Sequence, residues 1–302
     1  MSVVVCGLDV HKESTYATVL GPGGEVLAQG RMRNEEVPGF LGQHSVERIA
    51  MEASTSIDPL YRRLVDDGYE VQVSHPKKTR YIAEARIKTD RVDSKALAEL
   101  VRLDSLPLSY MPPRDIAELR EKVRRRAFLV RERTKLMVKI KGFLTYEGMK
   151  PPTEHGLFTV KGVEWLRGLG LEPIDCYLRV MDALRREIQR LSLELRRMAS
   201  RDEDVGLLMT VPGVGYYIAL LVKAEMGDVS RFNSGDNLAS YAGLVPSTYS
   251  SGGVTRHGRI TREGSRWLRW AMVDRSIVPR RGRVEWRIYL HICEWDGFFW
   301  KD

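Results

Sequence analysis

The sequence predicts a mixed α/β domain at the N-terminus, followed by two regions built mainly of α-helices. Three observations lead to this prediction. β-Branched apolar runs around a glycine-rich turn occupy the first part of the chain, helical and strand patterns then alternate, and from Arg114 onward apolar residues recur at helical spacing. With 302 residues, the chain is long enough to divide into two or three domains.

The predicted order of the N-terminal elements is specific. Residues 3–10 form a nearly continuous apolar run, which is typical of a strand buried on both faces. Residues 15–20 and 25–31 flank a turn, so we expect an antiparallel meander of three strands. A helix, a strand, a helix, a strand and further helical segments follow, beginning with residues 35–44, 46–52, 58–67 and 69–74. Three strands followed by this αβαβα alternation form a ribonuclease-H-like order.

Four acids in this region form a candidate metal site. Asp9 and Glu52 each end an apolar strand, and open α/β sheets place ligands outside the carboxyl ends of their strands. Asp90 and Asp93 open a helix that Thr89 or Asp90 can cap, and their spacing places both carboxylates on one face. Two carboxylates about 4 Å apart repel by roughly 4 kcal/mol at an effective dielectric near 20, and a divalent cation would reverse this repulsion. Helix capping alone is the alternative explanation for Asp90 and Asp93.

Charge and composition restrict the class of protein. The net charge of +8 and the isoelectric point near 9.4 favour a polyanionic partner. The chain has three cysteines, Cys6, Cys176 and Cys293. Their odd number and wide spacing argue against a disulfide framework and a zinc site. The sequence has neither a long apolar segment nor a signal-peptide pattern, so we expect a cytoplasmic protein without membrane contact.

Two long helices are predicted in the middle of the chain. In the first, apolar residues recur every seven positions from Ile116 to Leu144, and in the second a heptad seam runs from Met181 to Met198. We expect a coiled-coil hairpin or pairing between subunits, and hence a homo-oligomer. The basic residues outside the seams suit a solvated face or a nucleic-acid contact equally well. The predicted domains are therefore residues 1–112, 113–204 and 205–302.

A glycine-containing turn precedes the next predicted helix, at residues 216–226. Gly213 and Gly215 lie in the sequence Val-Pro-Gly-Val-Gly, which resembles the turn of a helix-hairpin-helix element. These glycines would let backbone amides approach a phosphate at the helix N-terminus. An ordinary helix start explains the same pattern equally well.

A serine-rich segment next to many arginines forms a second candidate site. Residues 247–253 read Ser-Thr-Tyr-Ser-Ser-Gly-Gly, which we interpret as a flexible loop carrying small hydroxyls. The arginines that follow suit bidentate contacts with phosphate; the candidates are Arg256, Arg259, Arg262, Arg266 and Arg269. The last three recur at helical spacing, with Trp267 and Trp270 between them as stacking or core residues.

Both sites resemble those of one known family, the IS one-ten insertion-sequence transposases. Gly7-Leu8-Asp9-Val10-His11-Lys12, Met51-Glu52-Ala53-Ser54 and Lys88-Thr89-Asp90-Arg91-Val92-Asp93-Ser94 look like the Asp-Glu-Asp-Asp (DEDD) motifs of that family. The resemblance implies a fold similar to Holliday-junction resolvases of the RuvC type. It also implies that these four acids hold one or two Mg²⁺ ions, or Mn²⁺ in their place.

The C-terminal region resembles the same family. Gly-Leu-x-Pro, Tyr-Ser-Ser-Gly-Gly and Arg-Gly-x-Ile-x-x-x-Gly-x-x-x-Leu-Arg follow one another between residues 243 and 269. In that family the loop serine is regarded as the nucleophile, which corresponds to Ser251 here, in preference to Ser250 and then Ser247. One mild departure is Glu263, which adds a negative charge within the arginine-rich tract.

The expected function is site-specific DNA recombination by an insertion-sequence transposase. The resemblance implies donor and target DNA and a structured guide RNA as partners, and action at the nucleoid. We expect a dimer or tetramer with a composite site to which both ends of the chain contribute. One alternative is a RuvC-like nuclease or junction resolvase that uses water as the nucleophile. A second alternative is a basic, non-enzymatic DNA-binding protein whose acids are only caps and salt-bridge partners.

Overall fold

A computed structural model of the protein describes residues 3–82, 89–251 and 254–273. The chain divides into two compact units, Met1–Met111 and Pro112–Asp302. The first boundary lies next to the predicted one at residue 112, whereas the separation of a helical spacer from a C-terminal domain at residue 204 stays a prediction. No helix in the described ranges is both long and apolar enough to cross a lipid bilayer.

The first unit is a five-stranded sheet with helices on both faces. Its strands are β1 (Val5–Val10), β2 (Ser14–Leu20), β3 (Val26–Arg33), β4 (Arg48–Glu52) and β5 (Glu70–Ser74). Its described helices are α1 (Val37–Gln43), α2 (Asp58–Asp66), α3 (Pro76–Ile82) and α4 (Asp90–Arg102). The strand order is β3-β2-β1-β4-β5. β1, β2 and β3 are antiparallel, whereas β4 and β5 run parallel to β1, so the predicted meander and mixed α/β architecture are confirmed.

Strand β1 is buried on both faces, as its apolar run predicts. Cys6 and Leu8 pack on one side with residues of α1 and α2. Val5 packs on the other side with α4, where Leu97 and Val101 are almost fully buried. Alternating side chains of one strand therefore belong to two separate hydrophobic clusters.

Helix α4 lies unusually close to the sheet at Gly7. A Cβ atom at this position would overlap the carbonyl oxygen of Ser94 and would lie 2.5 Å from the amide nitrogen of Ala98. The hydroxyls of Thr18 and Ser94, both fully buried, share a hydrogen bond of 2.7 Å in the same layer. At the start of the helix, the Thr89 hydroxyl accepts from the amide of Val92, which selects Thr89 as the N-cap. These contacts fix both the distance of α4 from the sheet and its position along β1.

The second unit consists mainly of helices. They are α5 (Arg114–Tyr146), α6 (Val160–Gly168), α7 (Glu172–Ala199), α8 (Glu203–Leu208), α9 (Tyr216–Met226), α10 (Gly235–Tyr241) and α11 (Arg266–Val273). A 3-10 turn spans Val229–Arg231. Two strands, β6 (Pro246–Ser251) and β7 (Val254–Ile260), form an antiparallel pair.

Helices α5 and α7 pack side by side in opposite directions. Lys122 contacts Glu194 at 2.7 Å, and the Arg126 guanidinium donates to the Ser192 hydroxyl at 2.8 Å. Near one end of the pair, residues of both helices join a cluster centred on α9, and near the other end they join a cluster that includes α6. The two long helices are thus confirmed, while a supercoiled coiled coil and a helix-hairpin-helix stay predictions.

The serine-rich segment differs from its prediction. It is not a flexible loop over its first five residues, because residues 247–251 belong to β6, and Thr248 to Ser251 pair with β7. β-Branched and aromatic residues, such as Thr248, Tyr249 and Thr255, favour strands, and a Gly-Gly pair between two such runs is a hairpin signal. That signal was present in the sequence, but the abundance of hydroxyls and glycines obscured it.

We expect Gly7→Ala to destabilise the first unit by about 1–3 kcal/mol, because the added methyl group must displace α4 from the sheet. Gly30→Ala is the matched control. Gly30 lies in the same sheet, and a Cβ there meets nothing within 4 Å, so its stability should stay equal or rise slightly. Urea denaturation followed by circular dichroism measures both variants. Equal midpoints for the two would show that the close approach at Gly7 is not required.

Candidate functional site

One row of side chains crosses the whole sheet at the carboxyl end of β1. Arg31 pairs with Tyr16 and Tyr16 with Asp9, while Glu52 pairs with Ser74. The register between β1 and β4 continues in step to Asp9 and Glu52. Paired residues on neighbouring strands face the same side, so this row lies on the face that α4 covers. The sheet itself therefore brings two of the four predicted acids next to each other.

Helix α4 brings the other two acids. Ser94 and Ala98 pack on Gly7, so the first turn of the helix lies toward Asp9, two residues further along β1. Asp90 and Asp93 both lie in that first turn. The negative charges of Asp90, Asp93 and Glu52 all act on Asp9. The structure thus brings the four predicted acids together within the first unit.

His11 also belongs to this cluster, although the sequence analysis did not assign it a role. Its Nε2 atom lies 3.5 Å from Oδ2 of Asp9 and 3.3 Å from Oδ2 of Asp90. One ligand atom from each of these three residues lies within 4.8 Å of the others. The spacing of Asp9 and His11 could have indicated this position, because residues two apart at the end of a strand face the same side.

The environment of Asp9 disfavours its negative charge. Burial is the main cause that raises the pKa of the Asp9 carboxyl, and repulsion by Asp90, Asp93 and Glu52 adds to it, whereas His11 acts in the opposite direction. Its side chain is only 18% exposed. A cation bound among these carboxylates would offset the cost of ionising Asp9.

The donor set fits a divalent cation. Carboxylate oxygens are the ligands that Mg²⁺ and Mn²⁺ favour, and an imidazole nitrogen is accepted by Mn²⁺. The Arg31 guanidinium pairs with Oδ2 of Asp90, so a positive group already lies against this carboxylate. At the other end of the row, the Ser74 hydroxyl is fully buried and has no hydrogen-bond partner among the described residues.

The candidate arginines of the second unit occupy different kinds of position. Arg256 and Arg259 lie on β7 and are exposed, and Arg266 begins α11 and is also exposed. Arg262 is exposed but has a φ of 57° and precedes the helix, so the predicted helical face shared by Arg262, Arg266 and Arg269 is wrong. The guanidinium of Arg269 donates to the carbonyl of Ala242 at 2.8 Å, so it joins α11 to α10.

The three candidate serines also differ. The Ser247 hydroxyl donates to the Arg259 carbonyl at 3.1 Å, which makes it a structural group of the hairpin. Ser250 is exposed and pairs with Thr255. Ser251 is the last residue of β6 and pairs with Val254, and its side chain lies outside the described part of the structure. The glycines at 252 and 253 also lie outside the described residues.

The predicted glycine turn precedes α9. Gly215 is the N-cap of that helix and is exposed, and Gly213 has a φ of 89°, which favours glycine. Helix α8 ends at Leu208, so a short turn joins two consecutive helices. The exposed amides at the start of α9 are compatible with the predicted phosphate contact, which stays a prediction.

An ion pair that the sequence analysis missed connects α5, α9 and the start of α11. Glu225 is only 1% exposed, and its two carboxylate oxygens accept from the Arg124 guanidinium at 2.7 and 2.8 Å. The Ser265 hydroxyl donates to the same carboxylate at 2.8 Å and accepts from the amide of Leu268. The start of the arginine-bearing helix is therefore anchored to the core of the unit.

Comparisons with known proteins match both regions of the chain that contain the candidate sites. A model of IS110 DEDD transposases, described as "Transposase", matches residues 6–147. A model of the transposase IS116/IS110/IS902 family matches residues 205–289. Together the two models match more than half of the chain, and each contains one of the two candidate sites.

Curated relatives match over most of their length. The transposase for insertion sequence element IS1111A of Coxiella burnetii is 24% identical over 286 residues, which cover 90% of this chain and 76% of the relative. The transposase for insertion sequence element IS1328 of Yersinia enterocolitica is 25% identical over 306 residues, covering 97% and 88%. A probable family 20 transposase of Pseudomonas aeruginosa is 26% identical, covering 92% and 85%.

Among solved structures, T. thermophilus RuvC in complex with Holliday junction substrate matches 35% of this chain and 99% of its own, with 11% identity and a TM-score of 0.29. The family assignment follows from the two family models and the transposase relatives, which match the regions that hold the acids and the serine-arginine segment. The chain belongs to the IS110 family of DEDD transposases and is a DNA transposase.

Proposed function

We propose that this transposase cuts and rejoins the DNA of its insertion sequence through a phosphoserine intermediate. Asp9, Glu52, Asp90 and Asp93 hold one or two divalent cations, normally Mg²⁺, and Ser251 is the nucleophile. The observation that carries the metal site is the convergence of three further acids, Glu52, Asp90 and Asp93, on the partly buried carboxylate of Asp9. The Ser251 assignment rests on the family resemblance of the Tyr-Ser-Ser-Gly-Gly segment.

The acids have a clear electrostatic task in this proposal. Like charges held together in a partly buried site bind a divalent cation strongly, because it reduces their repulsion and the cost of burying Asp9. A cation held there stabilises the negative charge that develops on the scissile phosphate. The acids come from two strand ends and one helix start, so their backbone positions are fixed before any ligand binds.

The proposed strand cleavage is a transesterification. The Ser251 oxygen attacks the phosphorus atom, a bond forms between them, and the bond between phosphorus and the 3′ oxygen of DNA breaks. The serine gives up its proton and the leaving 3′ oxygen takes one up, so the products are a phosphoserine and a free 3′-hydroxyl. Attack by that hydroxyl or by another 3′-hydroxyl on the phosphoserine rejoins the strands. No external oxidant or energy source is needed, because each step exchanges one phosphodiester for another.

The exposed arginines of the β-hairpin and of the segment before α11 supply positive charge for the phosphates. Arg256, Arg259, Arg262 and Arg266 are all exposed, so their guanidinium groups are accessible to a nucleic-acid backbone. Arginine binds phosphate with two parallel hydrogen bonds, which orient the backbone as well as attract it. Arg269 contributes indirectly, since it holds α11 against α10.

A structured guide RNA and a homo-oligomer complete the proposal. RNA guidance is supported by the family resemblance, because arginine contacts with phosphate do not distinguish RNA from DNA. An oligomer of two or four chains is supported by exposed apolar residues on the paired helices α5 and α7. Phe128, Val138 and Leu193 are 54%, 63% and 56% exposed. We expect the assembly to act on donor and target DNA at the nucleoid.

We expect Asp9→Asn to raise the melting temperature of the metal-free protein by a few degrees at pH 8. The folded protein raises the pKa of Asp9, so its ionised form opposes folding, and this penalty is present above the folded-state pKa. As pH falls through that pKa, the wild-type carboxyl takes up a proton and the difference should vanish. Mg²⁺ or Mn²⁺ should raise the melting temperature of the wild type but not that of Asp9→Asn.

Asp66→Asn is the control for this experiment. Asp66 ends α2 and is exposed, so its replacement should change the metal-free melting temperature little and should retain the rise caused by metal. Thermal denaturation with EDTA and with added metal measures all three proteins. An Asp9→Asn variant that gains as much stability from metal as the wild type would refute the metal site.

We expect Ser251→Ala to abolish protein-linked DNA, since the nucleophilic oxygen is removed. Incubation with element-derived RNA and DNA in Mg²⁺, followed by a denaturing gel, measures the covalent product. Ser250→Ala and Ser247→Ala are the controls and should retain it. Persistent adduct in Ser251→Ala would refute this assignment, and Mg²⁺-dependent cleavage without any adduct in the wild type would favour water as the nucleophile.

We expect Arg259→Gln to weaken DNA binding and Arg269→Gln to lower the stability of the second unit. Removal of the exposed Arg259 should weaken DNA binding at equal stability and reduce the log–log salt slope by about 0.9, the value for one phosphate contact. Removal of Arg269 breaks the bond to Ala242, so stability should fall by about 1–3 kcal/mol. Binding as a function of salt and urea denaturation measure the two effects. Equal behaviour of the two variants would contradict the division of roles.

A further inference from the structure

We propose that His11 is a further ligand of the divalent cation, through its Nε2 atom. This inference rests on the proposed metal site and extends it beyond the four acids. It assigns one imidazole nitrogen to a site whose other donors are carboxylate oxygens. The consequence is a stronger preference for Mn²⁺ over Mg²⁺ than the acids alone would produce, because imidazole binds transition metals better than Mg²⁺.

The position of the imidazole carries the proposal. Nε2 lies 3.5 Å from Oδ2 of Asp9 and 3.3 Å from Oδ2 of Asp90, so it faces one oxygen from each of the two elements that build the site. The three ligand atoms lie within 4.8 Å of one another, a separation that one ion can bridge after small rotations of the side chains. The imidazole is 49% exposed, so it can turn without disturbing the core.

The backbone that carries His11 is firmly held. Its amide donates to the carbonyl of Ser14 at 2.9 Å, and its carbonyl accepts from the Asn34 side-chain amide at 3.1 Å. The side-chain amide of Asn34 also donates to the carbonyl of Lys12 at 3.2 Å. Thr15, which is fully buried, donates through its hydroxyl to the Asn34 oxygen at 2.7 Å. This network aims the first residue after β1 at the acids.

Arg31 provides a contrast within the same cluster. Its guanidinium pairs with Asp90, but arginine has no lone pair to offer a metal and stays protonated in proteins. Arg31 therefore acts as a counter-charge to Asp90, whereas His11 can exchange its contacts with the carboxylates for a bond to the metal. The two neighbouring nitrogen side chains thus give opposite expectations in a metal-binding experiment.

The test uses the full-length protein with Mn²⁺ and does not depend on activity. Electron spin-echo envelope modulation should show coupling of bound Mn²⁺ to a ¹⁴N nucleus in the wild type, and protein labelled with ¹⁵N-histidine should change that coupling. His11→Gln should abolish it and lower Mn²⁺ affinity at least about tenfold, with a smaller loss for Mg²⁺. Arg31→Gln should retain the coupling.

His44→Gln is the matched control in the same unit, because its ring packs on Phe40 at a centroid distance of 4.9 Å and does not contact the acids. It should leave both affinity and coupling unchanged. Mn²⁺ that binds in an Asp9-dependent manner but shows no histidine coupling in the wild type would overturn the His11 assignment alone. Absence of Mn²⁺ binding, or binding that survives Asp9→Asn, would overturn the proposed metal site itself and His11 with it.

Discussion

The close approach of α4 to β1 at Gly7 is the constraint on which the first unit depends. The missing side chain allows Ser94 and Ala98 to lie directly on the strand, and the buried hydrogen bond between Thr18 and Ser94 fixes the helix along its axis. The start of the helix consequently lies over the end of β1. Without this contact, the acids of the helix and those of the sheet would belong to separate surfaces.

Packing of α4 against the sheet holds the acids together. The buried side chains of α4, among them Leu97 and Val101, each contribute about 1.5–3 kcal/mol by leaving water. Repulsion between two nearby carboxylates is about 4 kcal/mol at an effective dielectric near 20, and His11 and Arg31 offset part of it. The hydrophobic contribution therefore opposes the repulsion between the acids. A site held in this way needs little rearrangement to bind a cation, which is the usual benefit of preorganisation.

The sequence predicted the elements better than the contacts between them. Strand ends at Asp9 and Glu52 and a helix start at Asp90 follow from local periodicity, so the acidic cluster could be anticipated. His11 was missed because a single histidine after a strand has many uses, and its distance to Asp90 depends on tertiary packing. The contact of Arg269 with α10 was missed for the same reason, since only the fold shows that its guanidinium meets a backbone carbonyl. Periodicity identifies faces of elements, whereas the partners of long polar side chains are set by the fold.

In the second unit, a buried ion-pair network supports the fold, whereas exposed arginines are the proposed contacts with nucleic acid. Glu225 is buried, so loss of the Arg124 guanidinium would leave a buried carboxylate without its charged partner, at a cost of up to about 3–5 kcal/mol. This penalty discourages movement of Arg124, α9 and Ser265 relative to one another, and Ser265 caps the helix that begins with Arg266. Arg266 thus projects from a rigid base, so less conformational freedom is lost when it binds phosphate. A flexible base with the same charges would attract nucleic acid equally well at long range, but it would orient the backbone less precisely for attack.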